Sequence, residues 1–297
     1  MNTEIFSSSG NKNDMLRSVY SLLRRYQLTP NKQLGQNFLV DEDVYSVIRD
    51  AAGLKAGDNV LEVGPGLGIL TEMLLEDIQL DGQLIVVEKD RRFEKLLLER
   101  FGPRVHLLFQ DARYLQIDQL FNGKDQFKFV GNLPYNAGTY ILRNLLENHR
   151  RPKESTVLLQ REVVERITAA PGEMSALSVA VQTIGVPAIM ATVPKECFHP
   201  QPSVTSAVLK VSSFDTPLIP DADRGAFFKL IRAGFSARRK TLRNALANGF
   251  KIDTTLSSSI LEKASIDQQV RPESLRVTEW ILLYETIKKA YDGILET

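Results

Sequence analysis

Few folds accommodate the stretch Asn59-Val60-Leu61-Glu62-Val63-Gly64-Pro65-Gly66-Leu67-Gly68. A short apolar strand runs straight into a glycine turn, and Ile69 to Glu76 continues at helical spacing. Glycine lets the backbone turn sharply and approach a ligand closely, because no Cβ intervenes. A second apolar strand, Gln83-Leu84-Ile85-Val86-Val87, ends at Glu88, and Asp90 follows two residues later. In open α/β sheets an acid about 20 residues past such a turn, at the end of the second strand, accepts from a ribose diol. Glu88 stands at that position. The glycine spacing is GxGxG, not the GxGxxG that fits a dinucleotide pyrophosphate. This favours a nucleoside ligand such as S-adenosylmethionine (SAM) over NAD.

The strand–helix alternation continues. Val105 to Phe109 reads as a third strand closed by Gln110-Asp111-Ala112, where Asp111 can accept from an adenine amino group. A fourth, Phe127 to Val130, delivers Gly131-Asn132-Leu133-Pro134-Tyr135 to the carboxyl edge, where such sheets bind ligands. The Asn132 amide and nearby carbonyls suit an exocyclic amine, and the Tyr135 ring suits stacking on a base. Gly138 to Asn148 and Gln160 to Ile167 read as helices, with a strand at Ser155 to Leu159 between them. The alternation predicts a doubly wound sheet. Ala188 to Val193 and Ser206 to Val211 then form an antiparallel pair closing it, joined by a loop fixed by three prolines, Pro194, Pro200 and Pro202. Phe198 on that loop either walls a base pocket or packs in the core. Cys197 and His199 lie two apart, but one cysteine and three histidines offer no second ligand pair, so no metal is expected.

The flanks carry different signals. Met1 to Asn13 is polar with no apolar core of a secretion signal, and no apolar run approaches the ~18 residues of a membrane span. A single cysteine excludes an internal disulfide. The expectation is a soluble cytoplasmic monomer. Asp14 to Tyr26 reads as a surface helix, and Asp41 caps another that runs to Ala52. Between them, Asn31 to Leu39 is a polar-aromatic segment that either closes over a ligand or links two elements. Thr216 to Asp223 marks a boundary, beyond which the pattern is helical. Lys229 to Lys251 gathers Arg232, Arg238, Arg239, Lys240 and Arg243 with no Asp or Glu, in a chain whose net charge is only +1. Such local charge faces an anionic partner, and phosphate contacts of this kind position a nucleic acid without reading its sequence.

Five stretches together carry a family resemblance: Leu34-Gly35-Gln36-Asn37-Phe38-Leu39, Glu62 to Gly68, Gly131 to Asn136, Phe198 to Val204, and Phe235 to Leu242. In this order and spacing the chain resembles the KsgA family of bacterial small-subunit ribosomal RNA methyltransferases over about residues 29 to 285. The family dimethylates two adjacent adenines near the 3′ end of 16S rRNA. The resemblance implies a Rossmann-like class I SAM-dependent methyltransferase sheet with a small C-terminal all-helical domain. It divides the chain into an extension (1–28), a catalytic domain (29–215) and a helical rRNA-recognition domain (216–297). It implies SAM binding by Asn37, Leu39, Gly64, Glu88, Asp111 and Asn132, and a partner in 16S rRNA within a small ribosomal subunit or its precursor. One departure is Met174-Ser175-Ala176-Leu177-Ser178, where the family usually has Tyr-Gly before Leu-Ser, so the helix start there is open.

Chemistry on adenine then follows from Asn132, Leu133, Tyr135 and Phe198. The exocyclic nitrogen is a poor nucleophile because its lone pair is delocalised into the ring. Acceptance of its two N–H bonds by the Asn132 side-chain oxygen and the Leu133 carbonyl would localise that pair. An adenine methyltransferase of the Erm type, acting on 23S rRNA, shares this logic; the Phe-Ser-x-Arg-Arg-Lys stretch and the proline-rich loop favour the small-subunit enzyme. A DNA adenine methyltransferase usually carries Pro where Leu133 stands. A non-catalytic factor that retains the fold is disfavoured by the intact glycines, Glu88 and the Asn-Leu-Pro-Tyr motif.

Overall fold

Asp41 caps its helix as expected: its side chain accepts from the Val44 N–H, Glu42 and Asp43 fill the first turn, and Gly53 closes the end in the left-handed region. The computed structural model describes residues 9–123, 126–237, 239–291 and 293–296. Among them the chain runs α1 (Ser9–Arg25), β1 (Phe38–Leu39), α2 (Glu42–Ala52), β2 (Asn59–Val63), α3 (Ile69–Ile78), β3 (Gln83–Glu88), α4 (Glu94–Phe101) and β4 (His106–Phe109). It continues with β5 (Lys128–Asn132), α5 (Gly138–Leu146), β6 (Glu154–Gln160), α6 (Arg161–Ile167), α7 (Ala176–Gln182), β7 (Gly185–Val193), β8 (Phe198–His199) and β9 (Ser206–Ser213). The last helices are α8 (Arg224–Gly234), α9 (Leu242–Phe250), α10 (Thr254–Lys263), α11 (Val277–Ala290) and α12 (Gly293–Glu296). No helix of the described residues is long and apolar enough to cross a membrane.

The chain forms two compact units, Met1–Val164 with Ala188–Ser213, and Glu165–Pro187 with Phe214–Thr297. The helical unit therefore takes in α7, which the sequence pattern leaves with the sheet. In the first unit the strand order is β4-β3-β2-β5-β6-β9-β7. β2, β3, β4, β5 and β6 are parallel, and β9 runs antiparallel to β6 from Ser206 opposite Gln160 to Ser212 opposite Glu154. β2 to β4 build outward to one edge, and β5 then returns to the other side of β2. That reversal opens a crevice at the carboxyl ends, where ligands of such sheets bind. β2 and β3, inside the sheet, are largely buried on both faces, which is why they read as near-continuous apolar runs.

The segment before α2 is not a linker. Phe38 and Leu39 pair antiparallel with His199 and Phe198, and the Val40 N–H donates to the Cys197 carbonyl at 2.8 Å. The two small motifs, far apart in the chain, thus form one short ribbon. α1 is more than a surface helix: Val19 and Leu23 are buried in an apolar cluster with Phe38, Leu67, Phe93 and Phe101. Cys197 and His199 have structural partners, the thiol donating to Asp41 at 3.2 Å and the ring nitrogen lying 3.4 Å from the Tyr20 hydroxyl.

The helical unit packs around Trp280, which is fully buried with Phe227, Leu230, Leu246, Leu261 and Leu283. Emptying such a site costs on the order of 3–5 kcal/mol. The Met174–Ser178 departure is resolved by a capping box: the Ser175 hydroxyl accepts from the Ser178 N–H, and the Ser178 hydroxyl accepts from the Ser175 N–H at 2.7 Å. Two donors at the helix start are satisfied without the Tyr-Gly pair.

Candidate active site

Four parallel strands end at one cavity. Gly64 past β2, Glu88 at the end of β3, Asp111 past β4 and Asn132 at the end of β5 all line it, as do Leu133 and Tyr135. Asn37 and Leu39 line it from the ribbon segment. Every residue expected to bind the cofactor is therefore on one wall or another of the same space. Phe198 is not. It is 4 % exposed, within the apolar cluster that holds Leu39, Val44 and Val208, because pairing with β1 turns it into the core. Of the two readings open for it in the sequence, core packing is the one found, and its expected place on the base-pocket wall is corrected.

Backbone proximity explains why the glycine turn must be glycine. Gly64 has φ +76°, and a Cβ there would sit 3.0 Å from the Asn132 carbonyl oxygen. A Cβ on Gly131 would meet the Val63 carbonyl at 2.6 Å. The ends of β2 and β5 thus approach closely backbone to backbone, which places the glycine turn directly beside the Asn-Leu-Pro-Tyr motif. The Leu133 N–H donates to the Leu158 carbonyl at 3.2 Å, and the Pro134 carbonyl accepts from Ala137 and Gly138 at 3.0 and 2.8 Å, starting α5. The Tyr135 hydroxyl lies 2.5 Å from the Ser206 hydroxyl, which fixes the ring by its far end, and burial raises its pKa. The Asn132 Nδ2 donates to the Asn37 carbonyl at 3.4 Å, which leaves the amide oxygen as its acceptor.

The covering segment is strapped down on both sides. Asn136 Nδ2 donates to the Gln33 carbonyl at 3.0 Å, and Gln36 Nε2 donates to Asp90 at 2.8 Å. Burial penalises the Asp90 charge, but hydrogen bonds from Arg92 and Gln36 outweigh it and hold the carboxyl below its ordinary range. Gln36 and Asp90 are site-building residues that the sequence reading leaves without a role; nothing in local spacing announces a bond across 54 residues.

Three acids of the parallel strands and their ends differ in state. Glu88 is 8 % exposed, and burial pushes its carboxyl up to about 7, against hydrogen bonds from the Asp90 N–H at 2.8 Å and the Gly66 N–H at 3.4 Å. Asp111 lies well below the ordinary range, because Arg113 grips it through its side chain and backbone N–H and Lys89 lies 3.0 Å away. Glu62, inside β2, is fully buried, and desolvation raises it to about 8. Neither of its oxygens has a hydrogen-bond partner; the Thr71 hydroxyl opposes the shift from outside hydrogen-bond geometry. The sequence reading takes Glu62 only as part of the strand.

The donor set fits a nucleoside-bearing sulfonium. Two strand-end carboxyls offer acceptors to a ribose and an adenine amine, and Gly64 brings bare backbone to the cavity wall between them. In the helical unit, Arg232, Arg239 and Lys240 are exposed around the α8–α9 connection, and Arg243 is half-buried with an unpartnered Nε. Arg238 lies outside the described residues.

Known proteins match this architecture. The profile of the family described as ribosomal RNA adenine dimethylase matches residues 27–289. The chain is 38% identical over 268 residues to the ribosomal RNA small subunit methyltransferase A of Dehalococcoides mccartyi, covering 90% of this chain and 91% of that one. It is 39% identical over 273 residues to the protein of the same name from Desulforapulum autotrophicum, covering 90% and 95%. Among solved structures, a dimethyladenosine transferase from Plasmodium falciparum superposes with a TM-score of 0.70 at 21% identity, over 85% of this chain and 98% of that one. The 23S rRNA methyltransferase ErmE superposes with 0.67 at 24% identity, over 85% and 100%. At those identities the two structures speak for the fold.

Proposed function

The chain belongs to the ribosomal RNA adenine dimethylase family, and on that premise we propose that it dimethylates the exocyclic nitrogens of two adjacent adenines near the 3′ end of 16S rRNA, in a small ribosomal subunit or its precursor. The observation that carries the reading is the convergence of Asn132, Leu133 and Tyr135 with Gly64, Glu88 and Asp111 on one cavity. Its working compartment is then the cytoplasm. All of these residues come from one chain, and the reading takes the working unit to be a monomer.

SAM supplies an electrophilic methyl group when bound. Glu88 would hold its ribose diol and Asp111 its adenine amine, with Asn37, Leu39, Gly64 and Asn132 completing its enclosure. The chain's own residues prepare the nucleophile. The Asn132 amide oxygen and the Leu133 carbonyl accept the two N–H bonds of adenine, which pulls the lone pair out of conjugation. Pro134 stiffens the backbone that aims both acceptors, and Tyr135, anchored to Ser206, stacks on the base. The nitrogen gains one methyl and releases one proton per transfer. After the first transfer only one N–H remains, so one acceptor must tolerate a methyl in its place. Holding the reactants in line supplies much of the acceleration. The base must first leave its stack, at a cost of roughly a few kcal/mol. The arginines and lysine of the α8–α9 region would hold the RNA by its phosphates.

Incubation with methyl-labelled SAM tests the reading against three substrates: undermethylated small subunits, naked 16S rRNA and 23S rRNA. Incorporation into the small-subunit RNA supports it. Incorporation only into 23S rRNA would replace it with the Erm-type reaction.

A further inference from the structure

Two adjacent target bases sharing one pocket pose a spatial problem. While one adenine lies beside Asn132, its neighbour is one nucleotide from the mouth and needs somewhere to go. The cavity does not end at Tyr135. A surface groove along α5 adjoins it, sharing Tyr135, Asn136 and Ala137 with the cavity and bounded further out by Tyr140, Arg143, Asn144 and Glu147. Tyr140 is 56 % exposed, an unusual expense for a large aromatic on a helix that buries its other face through Ile141, Leu142, Leu145 and Leu146. Single exposed aromatics are common and mean little. This one is not single. The turn Ala112–Tyr114 packs against α5, Tyr114 on it is 68 % exposed, and the Arg113 guanidinium lies 5.5 Å from the Tyr114 ring centre.

Charge in the groove is balanced. The Arg143 Nε donates to Glu147 at 2.8 Å, so its guanidinium plane is held in place and its charge is met by a carboxylate. A groove of this kind does not attract phosphate. It presents flat faces and amides, the chemistry that receives an unstacked base from single-stranded RNA.

We propose that this groove is a second nucleotide subsite, in which Tyr140 stacks on the base next to the adenine undergoing transfer. The inference rests on the RNA-adenine reading above. The subsite holds the strand in register while the target base is out of its stack, and it reads a ring face, not a sequence. Arg143 and Asn144 border the stacked ring, and Tyr114 lies on the neighbouring turn.

Steady-state methylation of undermethylated small subunits by the full chain tests it, with wild type, Tyr140→Ala and Tyr140→Phe side by side. Loss of the stacking face in Tyr140→Ala is expected to raise KM for the subunits about tenfold, with kcat within a factor of about two. Tyr140→Phe should restore KM, since it keeps the face and loses only the hydroxyl. SAM affinity by calorimetry and the salt dependence of RNA binding should be unchanged in both variants. A KM for Tyr140→Ala within about twofold of wild type would overturn the subsite. So would a loss of SAM affinity, which would place Tyr140 in the cofactor pocket. Failure of the underlying reading looks different: wild type itself would transfer no methyl to the subunits.

Discussion

Burial puts Glu88 near neutrality, and its proposed partner is a diol that needs an ionised acceptor. The sign of the pH effect follows. Below about pH 7 the free protein carries a protonated Glu88, and that proton must leave before the diol is accepted. SAM affinity should therefore weaken by about tenfold for each pH unit below 7 and level off above it. Calorimetric titration across pH 5.5 to 8.5 reads this, and Glu88→Gln should bind weakly with little pH dependence. A flat wild-type profile would contradict the assignment. Glu62 makes a separate prediction on stability. Its folded value of about 8 lies above the ordinary glutamate value, so its favourable contribution is complete only in acid and is lost as pH rises through the folded value. Glu62→Gln mimics the neutral form at every pH. Its gain in Tm over wild type should be smallest near pH 5, grow to about pH 8 and then hold, at roughly 2–4 °C per kcal/mol. A variant less stable than wild type at pH 9 would show that the charged form has a partner.

At the scale of elements, the central strands β2 and β3 were legible because both of their faces are largely buried and their residues are mostly apolar. The ends of β2, β3 and β4 named Gly64, Glu88 and Asp111 without any further knowledge. The neighbourhood of β7 and β9 at the sheet edge follows the expected closure, and β9 in turn pairs antiparallel with β6. What spacing could not give was tertiary. The ribbon between Phe38-Leu39 and Phe198-His199 joins two stretches that each look like a loop. Once they pair, the Asn31–Leu39 segment becomes a cover over the cavity and Phe198 becomes core. Likewise, Gln36 reaching Asp90 and Asn136 reaching Gln33 are side-chain bonds with no periodic signature. α7 grouping with the helices depends on backbone bonds such as those from Gly172 and Met174 to the Glu273 carbonyl, at 2.8 and 3.2 Å, which no local pattern predicts.

For the molecule as a whole, a net charge of +1 makes the location of cations matter more than their number. Arg232, Arg239 and Lys240 are exposed in the helical unit, and the proposal assigns them to phosphates. Arg239→Ala with Lys240→Ala should weaken RNA binding at low salt and reduce the slope of log K against log salt by roughly one to two, while SAM affinity stays put. An unchanged slope would remove these residues from the RNA contact. The central claim, that one pocket built on Asn132 and Leu133 dimethylates two neighbouring adenines, is tested most directly by product mapping. Undermethylated small subunits would be treated with SAM and either wild type or Asn132→Ala, and the 3′ region of the 16S rRNA digested and read by mass spectrometry. The account predicts N6,N6-dimethyladenosine at two adjacent positions with wild type, and a loss of at least about a hundredfold in rate with Asn132→Ala at near-normal RNA binding. Near-normal turnover by Asn132→Ala, or a wild-type product confined to a single adenine, would contradict it.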